Sequence, residues 1–122
     1  MTIVDTIDGS DYVDAACITA VSRITSDGYV PEYIAVVDMA AASLGGGLVR
    51  GKSAASSVKH SLERLVSQGY LEIDQITVIK GSPIGVLLKL TKKGESLQKT
   101  AAETSKRAEQ FLARSAAEER FE

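Results

Sequence analysis

The stretch Gly46-Gly47-Leu48-Val49-Arg50-Gly51-Lys52-Ser53 follows the pattern G-x-x-x-x-G-K-[ST]. In that pattern backbone N–H groups and a lysine hold the phosphates of a nucleotide. The chemistry needs a buried strand that ends at the first glycine. Here the preceding residues, Asp38 to Leu44, are alanine-rich and helical in character. The nearest later strand that could end in a metal-binding aspartate, Tyr70-Leu71-Glu72-Ile73-Asp74, comes only about twenty residues on. The chain is also short for a parallel sheet with crossovers. We therefore expect no nucleotide at this motif. A Gly-rich loop with Arg50 and Lys52 beside a helix N-terminus is instead an anion site, and a DNA phosphate suits it.

Other catalytic groupings are missing. His60 is the only histidine and Cys17 the only cysteine, so the chain offers no Cys/His metal cluster and no evident histidine partner for a Ser or Cys nucleophile. Scattered carboxylates near the N-terminus form no evident pair. The expectation is no enzyme, no cofactor and no metal. Cys17 reads as a small buried residue of the first helix rather than a reactive thiol.

The polar residues with a better-defined arrangement lie between Ser53 and Gly69. Val58, Leu62, Leu65 and Val66 fall at i, i+4, i+7 and i+8, one apolar stripe of a helix. Opposite them lie Ser53, Ser56, His60 and Arg64, flanked by Ser57 and Lys59. Ser53 suits the N-cap and Gly69 a left-handed C-cap. An ordinary solvated face is the plainer alternative, and the flanking elements weigh against it.

Composition sets the bounds. One domain is expected from 122 residues, and 44% apolar with 25% charged residues is an ordinary globular mixture. No apolar run approaches the ~18 residues of a membrane span. The acidic N-terminus lacks the basic start of a secretory signal, and the lone cysteine fits a reducing, cytoplasmic setting. Net charge is −2, but it is unevenly spread. Residues 1–40 hold seven acids and one base, residues 41–93 eight bases and three acids. The positive charge thus gathers around the candidate helix and the twenty or so residues after it, which is where a phosphate backbone would be felt.

The remaining elements come in chain order. Residues 1–10 read as short, acidic and loosely held. A first helix spans Asp11 to about Ser26, capped by Ser10 or Asp11, with Val13, Cys17, Ala20, Val21 and Ile24 on one face. A second spans Pro31 to about Leu44, with Ile34, Val37, Ala41 and Leu44 inward, although Ile34 to Val37 could be a strand. Residues 45–52 read as a flexible connection. Glu72 to Leu90 reads as a β-hairpin turning at Gly81-Ser82-Pro83-Ile84-Gly85. Thr91 caps a last helix, interrupted or loosened near Gly94 and running to about Arg120. In it Leu97, Ala101, Thr104, Ala108 and Phe111 repeat at 4, 3, 4, 3, a seam that favours a second helix. A homodimer arm is the preferred reading; a helix folded back on its own domain is the alternative.

Ser53-x-x-Ser56-Ser57-Val58-x-x-Ser61-Leu62-x-Arg64-Leu65-x-x-x-Gly69-Tyr70-Leu71, a hairpin, then Leu90-Thr91-x-x-Gly94-x-x-Leu97 resembles winged-helix regulators of the MarR and PadR kind. The likeness covers about Ser53 to Leu97. It implies an α+β, mostly α winged helix, ordered helix-helix-helix-strand-strand-helix, with residues 1–93 as the DNA-binding domain and 94–122 as the dimerisation helix. The third helix would enter the major groove of double-stranded DNA. Ser56, Ser57, His60 and Arg64 would meet base edges, with Ser53 at the helix start. Arg50, Lys52 and Lys59 would hold phosphates, and Lys80 would serve from the wing. The implied output is transcriptional repression by a homodimer. Partition or replication accessory roles, and a protein-binding winged helix without DNA, are the rivals. Two features depart from the pattern: the long glycine-rich loop before the third helix, and a wing tip with Lys80 as its one charge.

Overall fold

The computed structural model describes residues 11–45, 48–49, 51–79 and 82–119. The elements run α1 Tyr12–Ser26, α2 Tyr33–Ser43, β1 Leu48–Val49, β2 Lys52–Ser53, α3 Ala54–Ser67, β3 Leu71–Ile79, β4 Ser82–Leu90, α4 Lys92–Glu95 and α5 Gln98–Glu119. The described chain is mostly helical, with two small antiparallel sheets, β1–β2 and β3–β4. No helix among the described residues is long and apolar enough to cross a membrane. The expected loose N-terminus, Ser10 as a cap, Arg50 and Lys80 all lie outside the described residues.

α1 is the central element, packed against α2, α3 and α5 and touching β4. Asp11 caps it by accepting from the N–H groups of Val13 at 2.9 Å and Asp14 at 3.2 Å. The stripe Val13, Cys17, Ala20, Val21 and Ile24 is buried throughout. Its burial supplies much of the apolar area that holds the fold together.

α2 corrects the sequence reading in two ways. It is a helix over the stretch that could have been a strand, but it starts at Tyr33 rather than Pro31. The carbonyl of Pro31 accepts from the N–H of Leu88 at 2.9 Å, and Glu32 forms an antiparallel bridge with Leu87. The fixed φ of proline serves an extended residue as well as a first helical turn. The inward face is also rotated: Val36, Val37, Ala40 and Leu44 are buried, whereas Ile34 is 68% exposed. Tyr33, Val36, Val37, Ala40 and Leu44 share one helical stripe, and Ile34 lies beside it.

The glycine-rich connection carries a small hairpin. Leu48 pairs with Ser53 and Val49 with Lys52, so the chain reverses between Val49 and Lys52. Gly51 has φ of +77°, in the left-handed region that two-residue hairpin turns require. A hairpin of two-residue strands, rather than a flexible loop, therefore delivers the chain to α3.

β3 and β4 pair from Leu71↔Leu90 to Ile79↔Ser82, so the turn is shorter than the five residues expected. Pro83 sits in the ladder opposite Val78, in a two-stranded ribbon where every strand is an edge. The register shifts between Ile73 and Gln75 and again between Thr77 and Val78. An extra residue at each shift explains the imperfect alternation of the sequence.

The last helical region is interrupted near Gly94, as expected, but its packing differs from the expected seam. Thr91 caps α4 through the N–H of Gly94 at 3.1 Å, and the break falls after Glu95. Gly94 itself is tightly packed: a Cβ there would collide with the backbone carbonyl of Tyr70. α5 then packs on α1 of the same chain. Ala101 is fully buried, Ser105 is buried, Leu97 packs against the core, and Gln98 Nε2 donates to Ser22 Oγ at 3.0 Å. Leu97 and Ala101, expected in a dimer seam, are thus engaged within their own domain. Thr104 and Ala108 are half-buried and Phe111 is 69% exposed.

Candidate nucleic-acid interface

α3 is fixed at both ends by short-range chemistry. Ser53 Oγ accepts from the N–H of Ser56 at 3.2 Å, satisfying one free donor of the first turn. At the other end Gly69 takes φ of +84°. The N–H groups of Gly69 and Tyr70 return to the carbonyls of Val66 and Leu65 at 3.1 and 2.9 Å, the pairing of a Schellman cap. The hairpin's exit reinforces that end. Thr91 Oγ1 donates to the carbonyl of Gly69 at 2.6 Å, and Lys93 Nζ donates to that of Gln68 at 3.0 Å. Lys93 also lies 4.4 Å from the centre of the Tyr70 ring. A cation there favours a helix C-terminus.

The inward face is as the periodicity predicts: Val58, Leu62 and Leu65 are buried and Val66 half-buried. Outward lie Lys59, His60 and Glu63, with Lys52 and Ser53 exposed at the start and Ser56 half-buried. Two candidate residues sit differently. Ser57 is 8% exposed and belongs to the inner side of the helix. Arg64 is engaged by the buried carboxylate of Asp14, with 35% of its side chain exposed. An open hollow of about 190 Å³ brings Lys52, Ser57, His60 and Arg64 together with Asp14 and Ser61.

Asp14 is the residue that sequence reading missed. It is 2% exposed, on α1. Ser61 Oγ donates to its Oδ1 and Arg64 Nη2 to its Oδ2, so both oxygens are satisfied from α3. A buried carboxylate without such partners would be very costly. Burial still raises its pKa above the usual 3.8, with neighbouring Asp11 adding to the shift, while Ser61 and Arg64 oppose it. A signal existed: Asp14 stands at i, i+3, i+4 and i+7 with Cys17, Ile18 and Val21, inside the apolar register of α1. Nothing in the sequence named Arg64, fifty residues away, as its partner.

Burial pushes the Cys17 thiol up to about 12, and its Sγ lies against the carbonyl of Val58 at 3.8 Å. Such a thiol is unreactive at neutral pH. The nucleotide-loop match comes after a helix, α2, rather than a strand, and its last residue serves as the cap of α3. Among the described residues no group of three or more His, Cys, Asp or Glu is placed to hold a metal ion. No family model, curated protein or solved structure gives a significant match to the chain.

Proposed function

We propose that the chain is a winged-helix protein that binds double-stranded DNA as a homodimer and represses transcription by occupying an operator. The observation that carries this reading is the outward face of α3. Lys59 and His60 are exposed on it, and Lys52 stands exposed beside a capped helix start. A helix of this kind fits the major groove, and basic groups at its N-terminal end suit phosphate. The β3–β4 hairpin would be the wing, anchored to the helices through Pro31 and Glu32.

Ser56 and His60 are the base-edge residues of this reading, and Lys52 and Lys59 the phosphate contacts. Arg50 and Lys80 keep their phosphate roles on sequence grounds alone. Arg64 works from its pair with Asp14, so any base contact comes from a partly committed guanidinium. Ser57 supports the helix from its buried side.

A gel shift against fragments of the protein's own genomic neighbourhood tests the proposal. It predicts a retarded complex that unlabelled random DNA competes poorly. No retarded complex at low salt would contradict it. Protection of clustered repeats with spreading would favour the partition or replication role over repression. One observation favours a protein partner instead: with Arg64 held by Asp14 and Glu63 exposed on the same helix, the positive face is modest.

A further inference from the structure

On the other flank of α3, away from the hollow at Asp14, lies an open groove of about 430 Å³. Its walls are Leu62 and Val66 of α3, Ile73 of β3, Val86 and Leu88 of β4, and Tyr33 of α2, with Ser67 and Glu63 completing the lining. The volume is that of a site for a drug-sized molecule. Its surface is unusual for solvent: Ile73 is 49% exposed although Leu88, its cross-strand partner, is buried. Among the described residues of the lining, Glu63 is the only charged one. No ion pair to Glu63 is found among the described residues. Its charge reaches Tyr33, whose phenol is shifted upward by partial burial and then by Glu63.

We propose that this groove is a binding site for a small organic cation with an apolar or aromatic body. The body would cover the Leu62–Val66–Ile73–Val86 surface, which removes apolar area from water. The cationic head would meet Glu63, with the Tyr33 ring as an adjacent aromatic surface for a cation. Charge decides the class. An anion would be repelled by Glu63, and a neutral apolar molecule would leave that charge beside it uncompensated. Size decides against a macromolecular occupant. Glu63 lies one helical turn beyond Lys59, so a bulky partner in the groove would crowd the proposed DNA face, whereas a small ligand would not. The groove and its charge stand apart from the DNA reading, and only the preference for a small occupant rests on it. Leu62 and Val66 nevertheless lie on the same helix as Lys59 and His60, so occupancy acts directly on the element that would read DNA.

Three probes with one body and three heads test the class: 6-phenylhexylamine, 6-phenylhexanol and 6-phenylhexanoate, titrated into the full chain without DNA. Methyl resonances of Leu62, Val66, Ile73, Val86 and Leu88 report location. The amine should shift these methyls saturably and bind roughly fivefold or more tightly than the alcohol, from an exposed ion pair with an aromatic contact. The carboxylate should bind weakest. Glu63→Gln should remove most of the amine's advantage over the alcohol with the same methyls shifted, leaving only the aromatic contact of Tyr33, and Val86→Asp should weaken the alcohol. Equal binding of amine and alcohol to the wild type would overturn the proposal. So would shifts centred outside the groove, no saturable shift, or the same methyls responding to protein concentration alone, which would mean that a second copy covers the groove.

Discussion

Among the described residues, Asp14 carries the pH dependence of the acid range. Its folded pKa lies above 3.8 because it is buried. Between those two values the folded chain holds a proton that the unfolded chain has released. Stability therefore rises as pH falls through the folded value, the gain being complete below 3.8, and it is lost above the folded value. Asp14→Asn removes this titration. Denaturant unfolding from pH 7 to pH 4 should show the wild type gaining on the variant as pH falls; a wild type that loses ground would mean a depressed pKa. Arg64→Ala strips the carboxylate of its cation. We expect a loss of about 1–3 kcal/mol at pH 7, read from the same unfolding curves. Any DNA defect of that variant must be corrected for this loss, because the arginine has two duties. The residue scale is also where the sequence was least legible. Ser53, Gly69 and Thr91 announce themselves because caps act within three or four residues. The pairing of Asp14 with Ser61 and Arg64 depends on how α1 crosses α3, which no local pattern encodes.

At the scale of elements, local signals located all the long helices and the hairpin, and long-range pairing altered their edges. Pro31 marked a helix start by its geometry, yet the N–H of Leu88 claimed its carbonyl and moved the start to Tyr33. The two-residue strands β1 and β2 are too short to leave a periodic signal. The helix does break just after Gly94, as its glycine suggested, and Gly94 is also a point of close approach to Tyr70 at the end of α3. Gly94→Ala forces a methyl into the Tyr70 carbonyl, so backbone must move. The expected cost is about 1–3 kcal/mol. For a domain of this size each kcal/mol shifts the melting temperature by roughly 3–6 °C, so the change should be plain in a thermal melt. An unchanged melting temperature would mean that the two segments do not touch as described.

For the whole molecule, α5 decides how far one chain accounts for the site. Its first turns belong to the core through Ala101 and Ser105, with Leu97 just ahead of them, although the seam pattern assigned Leu97 and Ala101 to a second copy. α1 offers an apolar face inside the same chain, and an intrachain partner needs no association. Further along, Phe111 is exposed, and the homodimer of the proposed function rests on that distal part. Phe111→Asp should give monomers with helix content retained. Light scattering on the wild type at high micromolar concentration should show dimers; monomers would remove the dimer from the account and leave one DNA face per particle.

The central claim, double-stranded DNA on the α3 face, is tested most directly by the salt dependence of binding. Two subunits using Arg50, Lys52 and Lys59 place roughly six phosphate contacts, so log K against log salt should fall with a slope of around −5. Lys52→Ala removes one contact per subunit. It should make the slope shallower by about 2 and weaken all sequences alike. A wild type that fails to bind double-stranded DNA at low salt, or a Lys52→Ala slope equal to the wild-type slope, would contradict the account.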